Sequence, residues 1–412
     1  MKISRKILDR RIGIVERYQE YLPVTSKTPV VSLNEGNTPL ILSEALPEFL
    51  KLRVKIYYKF EGLNPTGSFK DRGMTLAVSK AVEEGRHAIM CASTGNTSAS
   101  LAAFAAASGL MKAIIFVGEG KIAYGKLSQS LDYGALTLLV RGDFDDAMAR
   151  VQEVCKEEGI YLVNSLNPFR LEGQKTTMYR VLEGLDWRVP DWIVCPGGNL
   201  GNSSAFGKAL VELQTLGLID RLPRLAVINA AGAPTLSRLV NQRGLAWNDG
   251  RVDDGIIAQY YAELDQKAER AHTIASAIEI NRPVNLKKCL RTLAKTRGCV
   301  REVSDQEILD AKARIAREGI GCEPASAASV AGLKKLVAEG VIDCDALVAC
   351  VLTGHQLKDP HATVAYHSAS EAELAEKYGA YGVNSTPHRN QPVSVANDLG
   401  AIIDAIRKAM RA

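Results

Sequence analysis

The feature that most constrains this chain is a regular alternation of short apolar runs with longer helical segments, which begins near residue 55. Strands that alternate with helices form mainly parallel, twisted sheets covered by helices, so the predicted fold class is α/β. The predicted strands are Val54–Tyr58, Ala88–Cys91, Ala113–Val117, Leu136–Val140, Tyr161–Val163, Trp192–Cys195, Leu225–Ile228 and Leu347–Leu352. Predicted helices include Asp71–Glu84, Phe144–Glu157, Ala205–Leu216 and Ser326–Ala338.

The length of 412 residues allows two domains that share a cleft. We expect a smaller, mobile domain at residues 55–165 and a larger domain made of residues 1–54 and 166–412. Ligands of such folds bind where the carboxyl ends of strands meet the amino ends of helices. At the end of the chain, one helical face carries Leu399, Ile402, Ile403, Ile406 and Met410. This pattern predicts a docked C-terminal helix that belongs to the larger domain, in preference to a helix that binds a partner.

Composition excludes several classes of function. The net charge of +5 is small and basic residues are interspersed with acidic ones, so no nucleic-acid partner is expected. No apolar run is long enough to cross a membrane, and no secretion signal is evident. Eight cysteines without CxxC pairs indicate free thiols in a reducing cytoplasm, and no metal site is expected. The P-loop-like segment 120–126 is followed by Leu127 where a magnesium-binding hydroxyl is needed, which disfavours nucleotide hydrolysis.

The most informative segment runs from Asn64 to Gly73. A turn containing Pro65 and Gly67 delivers Lys70 to the start of a predicted helix, and Asp71 suits the first turn of that helix. Taken alone, such a lysine is more typical of a solvated surface. Its interpretation as a reactive amine depends on three other loops, each of which follows a predicted strand.

These three loops offer groups that an aromatic, phosphorylated ligand needs. Residues 91–98 place hydroxyls and an amide around a helix amino end, which attracts carboxylate or phosphate, although a helix cap uses the same residue types. Residues 196–202 carry glycines whose backbone N–H groups can converge on phosphate, with a plain tight turn as the alternative. Thr353 ends a strand, where its hydroxyl could bond a ring nitrogen or simply belong to a Thr–Gly turn.

Together these segments resemble the threonine synthases, pyridoxal-phosphate-dependent enzymes of fold type II that are related to the tryptophan synthase β chain. The lysine segment and the segment from Asn164 to Thr176 are the most specific of the matching stretches. The matching stretches are Glu35–Leu40, Asn64–Gly73, Cys91–Ser98, Asn164–Thr176, Pro196–Asn202, Glu323–Ser329, Thr353–Gly354 and Leu357–Pro360.

The resemblance implies a role for each residue that matches the family's motifs. Lys70 is the Schiff-base lysine, Asn96 contacts the ring hydroxyl of pyridoxal 5'-phosphate, and Thr353 faces its pyridine nitrogen. The remaining implied roles fall to two groups of residues. The cofactor phosphate is held by Gly198, Asn199, Leu200, Gly201 and Asn202, and the substrate is bound by Ser93, Thr94, Thr97, Asn164, Ser165, Arg170 and Lys121.

The activity that the resemblance implies is conversion of O-phospho-L-homoserine and water to L-threonine and phosphate, by a cytoplasmic homodimer. Cysteate synthase, threonine or serine dehydratase and a non-catalytic pyridoxal-phosphate-binding regulator remain alternatives. Three positions depart from the common bacterial pattern: Leu200, Asn281 and Gln356. We expect the last two to lie near the substrate.

Overall fold

The computed structural model describes residues 12–411, apart from 50–52, 94, 119–123, 142–149, 152 and 156. The predicted helix Phe144–Glu157 therefore lies largely outside the described residues. The strands are β1 (Leu40–Ser43), β2 (Lys55–Phe60), β3 (Ala88–Ala92), β4 (Lys112–Gly118), β5 (Leu136–Val140), β6 (Tyr161–Leu162), β7 (Trp192–Pro196), β8 (Arg224–Ala230), β9 (Cys299–Val303) and β10 (Leu347–Leu352).

The helices begin with α1 (Ile14–Arg17), α2 (Ala45–Phe49), α3 (Lys70–Glu83), α4 (Asn96–Ser108), α5 (Tyr124–Asp132), α6 (Pro168–Gly184), α7 (Gly201–Thr215) and α8 (Thr235–Ser237). They continue with α9 (Asp254–Gln266), α10 (Leu286–Thr296), α11 (Asp305–Ala316), α12 (Pro324–Ala338), α13 (Pro360–Ser368), α14 (Glu371–Tyr378) and α15 (Leu399–Arg411). No helix in the described part of the chain has the length and apolar character that a membrane span requires.

The strands form two sheets. The larger has the order β1-β2-β10-β7-β8-β9, and the smaller has the order β5-β4-β3-β6. Every neighbouring pair is parallel except β1 with β2. The α/β prediction with mainly parallel sheets is therefore confirmed. The sequence patterns did not reveal β1 and β9, because β1 is a four-residue strand that ends in Ser43 and β9 carries Arg301 and Glu302.

Burial on both faces explains why the central strands read as continuous apolar runs. All five residues of β7 are buried, and successive side chains enter different parts of the core. Ile193 and Cys195 pack into one apolar cluster, whereas Trp192 and Val194 pack into the cluster on the opposite face. A parallel strand covered on both faces has no polar face to show, so its sequence does not alternate.

Two glycines allow α3 and α6 to cross in contact. A Cβ atom at Gly73 would lie 2.8 Å from the carbonyl oxygen of Arg170, and one at Gly173 would lie 1.9 Å from that of Arg72. Only residues without a side chain permit this approach. The crossing brings Lys70, at the start of α3, close to Arg170, in the first turn of α6.

A buried polar network supports the base of α3. Arg72 donates from Nε to Oε2 of Glu61 at 2.6 Å and from Nη2 to Oε1 at 2.8 Å. Lys59 lies 3.6 Å from the same carboxylate and donates to the carbonyl oxygen of Thr38 at 2.6 Å. Complete burial acts to raise the pKa of Glu61, but the charges of Arg72 and Lys59 outweigh it and lower that pKa to about 2.

The structure bears on two parts of the predicted domain organisation, the placement of β2 and the docking of the C-terminal helix. Strand β2, which the domain prediction assigned to the smaller unit, pairs with β1 and β10 in the larger sheet. The division of the chain at residues 55 and 165 stays a prediction. The C-terminal helix forms as α15, but docking was wrong: no residue of α15 is buried, and Met410 is 83 % exposed.

Candidate functional site

A cleft of about 1270 Å³ opens where strand ends of both sheets face the amino ends of helices. Its wall contains the predicted site residues that the structure describes, although they come from segments far apart in sequence. They are Lys70, Ser93, Asn96, Thr97, Asn164, Ser165, Arg170, Gly198, Asn199, Leu200, Gly201, Asn202 and Thr353. Thr94 and Lys121 lie outside the described residues.

Lys70 is the first residue of α3, so its amine projects from a helix amino end. Its Nζ atom lies 3.7 Å from the centroid of the Phe69 ring. Burial, reinforced by the guanidinium of Arg170 and opposed by the carboxylate of Glu323, lowers the pKa of Lys70 to about 7. A large share of these amines is therefore unprotonated at neutral pH, as a nucleophile or general base requires.

The glycine loop before α7 has the donor set of a phosphate site. Among the described residues, no acceptor pairs with the backbone N–H groups of Gly198, Asn199 and Leu200. These donors sit at the amino end of a helix of 15 residues, where the helix dipole favours an anion. A Cβ atom at Gly198 would lie 3.0 Å from the Cα atom of Ile278, so a side chain there would press on that backbone. The loop therefore fits the phosphate of pyridoxal 5'-phosphate.

The surroundings of Leu200 explain why leucine is tolerated at this position, where the common pattern has a small residue. Its backbone has φ 61° and ψ 18°, in the left-handed region that costs a residue with a side chain about 1–2 kcal/mol. The side chain is only 3 % exposed and packs in the apolar core. Apolar burial of a leucine stabilises by about 1.5–3 kcal/mol, which offsets the strained backbone.

Arg170 is a buried cation at the edge of the cleft. It is 1 % exposed, and its Nη1 donates to the carbonyl oxygen of Val163 at 3.1 Å. Its Nε finds no acceptor among the described residues, and burial lowers its pKa to about 10. A buried guanidinium that no described carboxylate neutralises favours an anionic ligand, because phosphate oxygens match its planar fork.

The loop that precedes Arg170 is held in place by its own amides. Asn167 caps α6 by accepting from the N–H groups of Phe169 at 3.0 Å and Arg170 at 3.3 Å. Asn164 accepts from the N–H of Ala92 at 3.2 Å, which joins this loop to the end of β3. Ser165 therefore lies in the same wall as the predicted helix-end residues Ser93 and Thr97.

Two residues of the site were not predicted. Glu323, buried beside the cleft, accepts from Asn96 Nδ2 at 2.9 Å and from Thr353 Oγ1 at 3.2 Å. Asn285 donates to the carbonyl oxygens of Ser165 at 3.0 Å and Asn199 at 3.3 Å, and so links two loops of the cleft. A carboxylate directly before Pro324, among small buried residues, was the available sequence signal for Glu323, whereas Asn285 carried none.

The other two residues that depart from the common pattern, Asn281 and Gln356, differ in their position relative to the cleft. Asn281 lines the cleft, as expected, and donates to the carbonyl oxygen of Glu269 at 3.0 Å. Gln356 does not line it: a Cβ atom at Gly321 would lie 2.3 Å from the Gln356 side chain, which packs on that glycine instead. Within the described residues, no group of three His, Cys, Asp or Glu side chains could hold a metal ion.

Residues 31–354 match the family of pyridoxal-phosphate dependent enzymes. Among curated proteins, the threonine synthase of Methanocaldococcus jannaschii is 46% identical over 364 residues, covering 88% of this chain and 85% of that protein. The threonine synthase of Halalkalibacterium halodurans is 42% identical over 370 residues, covering 90% and 96%.

Solved structures share the fold at low sequence identity. O-ureido-L-serine synthase superposes with a TM-score of 0.63 at 18% identity, covering 86% of this chain and 100% of that one. Processed threonine deaminase isoform 2 from Solanum lycopersicum gives a TM-score of 0.61 at 19% identity, covering 77% and 83%.

The chain belongs to the pyridoxal-phosphate-dependent enzymes, and within them to the threonine synthases. The predictions of family, enzyme class and cofactor are confirmed. When bound, pyridoxal 5'-phosphate supplies an electron sink for reactions at the carbon atoms of an amino acid.

Proposed function

We propose that this threonine synthase converts O-phospho-L-homoserine and water to L-threonine and phosphate in the cleft between the two sheets. The observation that carries the proposal is the presence of Lys70 and Arg170 in the same cleft. One cleft holds an amine with a pKa of about 7 and a buried guanidinium that no described carboxylate neutralises. The amine supplies the reactive group, and the guanidinium supplies a pocket for a substrate phosphate.

The cofactor is held by groups on three sides of the cleft. Lys70 carries it, the N–H groups from Gly198 to Asn202 bind its phosphate, Asn96 contacts its ring hydroxyl and Thr353 faces its ring nitrogen. The unused N–H donors of the loop and the burial of Asn96 and Thr353, 9 % and 5 % exposed, support these roles. Each side chain is fixed by a hydrogen bond to Glu323, so neither has to be ordered when the cofactor binds.

The substrate is oriented by two sets of polar groups. Arg170, Asn164 and Ser165 bind its phosphate, with Lys121 as a further phosphate contact. The loop Ser93, Thr94 and Thr97 receives the α-carboxylate or the phosphate at the amino end of α4, where the helix dipole favours an anion. Once the substrate amine has displaced Lys70 from the cofactor, the freed Lys70 Nζ atom would take a proton from the substrate Cα atom, which its lowered pKa permits.

A direct assay tests the proposal. Purified, cofactor-loaded protein is mixed with O-phospho-L-homoserine, and phosphate and threonine are followed together. Equal release of both is expected. Phosphate without threonine would contradict the hydration step, and no release would redirect the assay to phosphoserine with sulfite, then to unphosphorylated threonine and serine.

Two substitutions test the residues. Lys70→Ala should abolish turnover and the visible absorbance of the lysine-linked cofactor. Arg170→Ala should raise KM about tenfold or more, because a charge-assisted contact to phosphate contributes about 1.5–3 kcal/mol. Arg180→Ala is a matched control, since Arg180 lies on the same helix, outside the cleft, and donates to Glu183 at 2.6 Å. An unchanged KM in Arg170→Ala would remove Arg170 from the phosphate pocket.

The assembly and the compartment belong to the same proposal. The chain works as a homodimer in the cytoplasm, with the part of residues 55–165 that carries the smaller sheet closing over bound substrate. Closure excludes water until the phosphate has been eliminated. All eight cysteines are free thiols, which supports a reducing compartment. Light scattering on the eluted protein tests the dimer, and a monomeric mass at micromolar concentration would refute it.

A further inference from the structure

Glu323 lies against the cofactor cleft without a chemical role in the proposed reaction. It directly precedes α12, is 4 % exposed, and lines the cleft. Its backbone N–H donates to the carbonyl oxygen of Gly354 at 3.0 Å, so the residue is anchored to the end of β10. A Cβ atom at Gly354 would lie 2.5 Å from Oε1 of Glu323, which leaves the carboxylate close against that backbone.

The two oxygens of this carboxylate have different partners. Oε2 accepts from Asn96 Nδ2 at 2.9 Å, and Oε1 accepts from Thr353 Oγ1 at 3.2 Å. Asn96 begins α4, beside the smaller sheet, whereas Thr353 follows β10 in the larger sheet. A single buried side chain therefore contacts both residues to which the proposed function gives the cofactor ring.

The hydrogen-bond chain continues past Thr353 to Ser326 and Gly354. These further contacts bear on which partner receives the proton of the Thr353 hydroxyl. The N–H of Gly354 donates to Ser326 Oγ at 2.9 Å, and Ser326 Oγ lies 3.0 Å from Thr353 Oγ1. A hydroxyl has one proton to donate. If Thr353 gives that proton to Glu323, Ser326 can donate to Thr353, so every donor in the chain has an acceptor. Thr353 then keeps only a lone pair for a ring nitrogen, so Glu323 decides whether Thr353 accepts a hydrogen bond from that nitrogen or donates one to it.

The same reasoning applies to the amide of Asn96. A carboxylate accepts only, so it fixes the amide nitrogen of Asn96 towards itself. That nitrogen has a second N–H, which remains for a ring oxygen. An amide or an apolar residue at position 323 would lose this selection, because Asn96 could then turn its oxygen inward.

We propose that Glu323 is a positioning residue that orients Asn96 and Thr353 towards the ring of pyridoxal 5'-phosphate. The inference rests on the proposed cofactor roles of those two residues. Burial raises the pKa of Glu323, and the hydrogen bond from Asn96 and the ammonium groups of Lys70 and Lys358, which favour the charged form, offset this only in part. Its negative charge in turn opposes the lowering of the Lys70 pKa by burial and by Arg170.

The test compares Glu323→Gln with Glu318→Gln in cofactor-free protein that is reloaded with pyridoxal 5'-phosphate. Glu318 is a matched control, since it accepts from Ser43 at 2.9 Å and Tyr58 at 3.0 Å outside the cleft. Two quantities are measured: the dissociation constant of the cofactor, and the pH midpoint at which its visible absorption band changes. Thermal unfolding of each cofactor-free variant reports folding separately.

Glu323→Gln should raise the dissociation constant about tenfold, the equivalent of one hydrogen bond to a charged group. It should also move the midpoint to lower pH, because a negative charge near the titrating groups is removed. Glu318→Gln should change neither quantity. Combining Glu323→Gln with Thr353→Val should weaken binding by less than the product of the single effects, because Glu323 acts partly through Thr353.

A dissociation constant within about twofold of wild type, together with an unchanged midpoint, would overturn the proposal. Fully multiplicative effects with both Thr353→Val and Asn96→Ala would overturn it as well. If Glu323→Gln does not fold, Glu323→Asp decides, because its shorter carboxylate cannot reach both partners. It should raise the dissociation constant about tenfold and, because it keeps the negative charge, leave the midpoint near the wild-type value. If the Glu323 variant shows these shifts while the wild-type protein forms no threonine, the proposed function is contradicted and the role of Glu323 is supported.

Discussion

Gly173 packs so closely on Arg72 that a Cβ atom there would lie 1.9 Å from the Arg72 carbonyl oxygen. This contact sets the crossing of α3 and α6, and the crossing brings Lys70 and Arg170 to one cleft. Gly173→Ala should therefore destabilise the protein by about 3 kcal/mol or more, since backbone cannot yield as a flexible side chain does. Urea unfolding of the two proteins measures the difference.

Gly379 is a matched control, because replacing it by alanine measures the effect of a Gly→Ala substitution on stability without a clash. Gly379 has φ −58°, and a Cβ atom added there would have no atom within 4 Å. Gly379→Ala should therefore change the free energy of unfolding by less than about 1 kcal/mol. Equal effects of the two substitutions would show that the close approach of α3 and α6 is not required.

The lowered pKa of Lys70 predicts how fast cofactor-free protein captures pyridoxal 5'-phosphate at each pH. Only the unprotonated amine attacks the aldehyde, so the rate should rise with pH and reach half its maximum near pH 7. Arg170→Met should move this midpoint to higher pH, because it removes a cation that disfavours the charged amine. Stopped-flow absorbance gives the midpoint. A wild-type value near that of an ordinary lysine, about 10, would contradict the lowered pKa.

The buried carboxylate of Glu61 predicts a loss of stability in acid. Its pKa falls from 4.5 to about 2 on folding, so the stabilisation is complete above pH 4.5 and is lost as pH falls towards 2. Between about pH 5 and pH 3 the loss from this group is about 2 kcal/mol. Denaturant unfolding of wild type and Glu61→Gln over that range should show a steeper decline in wild type. Parallel declines would contradict the assignment.

The exposed C-terminal helix predicts tolerance to substitution. Ile406 is 54 % exposed, so Ile406→Ser should change the free energy of unfolding by less than about 0.5 kcal/mol. Ile308, on α11, is fully buried, and Ile308→Ser should cost about 3 kcal/mol or more. Thermal unfolding compares them. A comparable loss in Ile406→Ser would mean that the apolar face of α15 is covered in solution.

The elements that sequence reasoning predicted well share a physical property. Strands such as β5 and β10 were predicted with the bounds that the structure shows, because their apolar runs end at turn residues. β1 and β9 were missed, because neither is uniformly apolar. Docking of α15 was wrong for a related reason: an apolar helical face indicates that something should cover it, but not what covers it or whether this chain supplies the cover.

The residues of the candidate site likewise fall into those that local sequence motifs indicate and those whose contacts only the structure reveals. Lys70, Asn96, the glycine loop and Thr353 could be predicted because each lies in a local motif that ends a strand or begins a helix. The contacts of Glu323 and Asn285 could not, because they depend on partners that are remote in sequence. Glu323 contacts Asn96 across 227 positions, and Asn285 contacts Ser165 across 120.

By itself, the sequence determined the α/β class, the family and the groups available for chemistry, because apolar periodicity and local motifs are properties of neighbouring residues. Only the tertiary structure decided that Arg170 is buried beside Lys70, that Glu323 joins Asn96 to Thr353, and that the Gln356 side chain packs on Gly321. Burial and the distances between remote side chains set pKa values and the direction of hydrogen bonds, and both arise only when the sheets and helices pack.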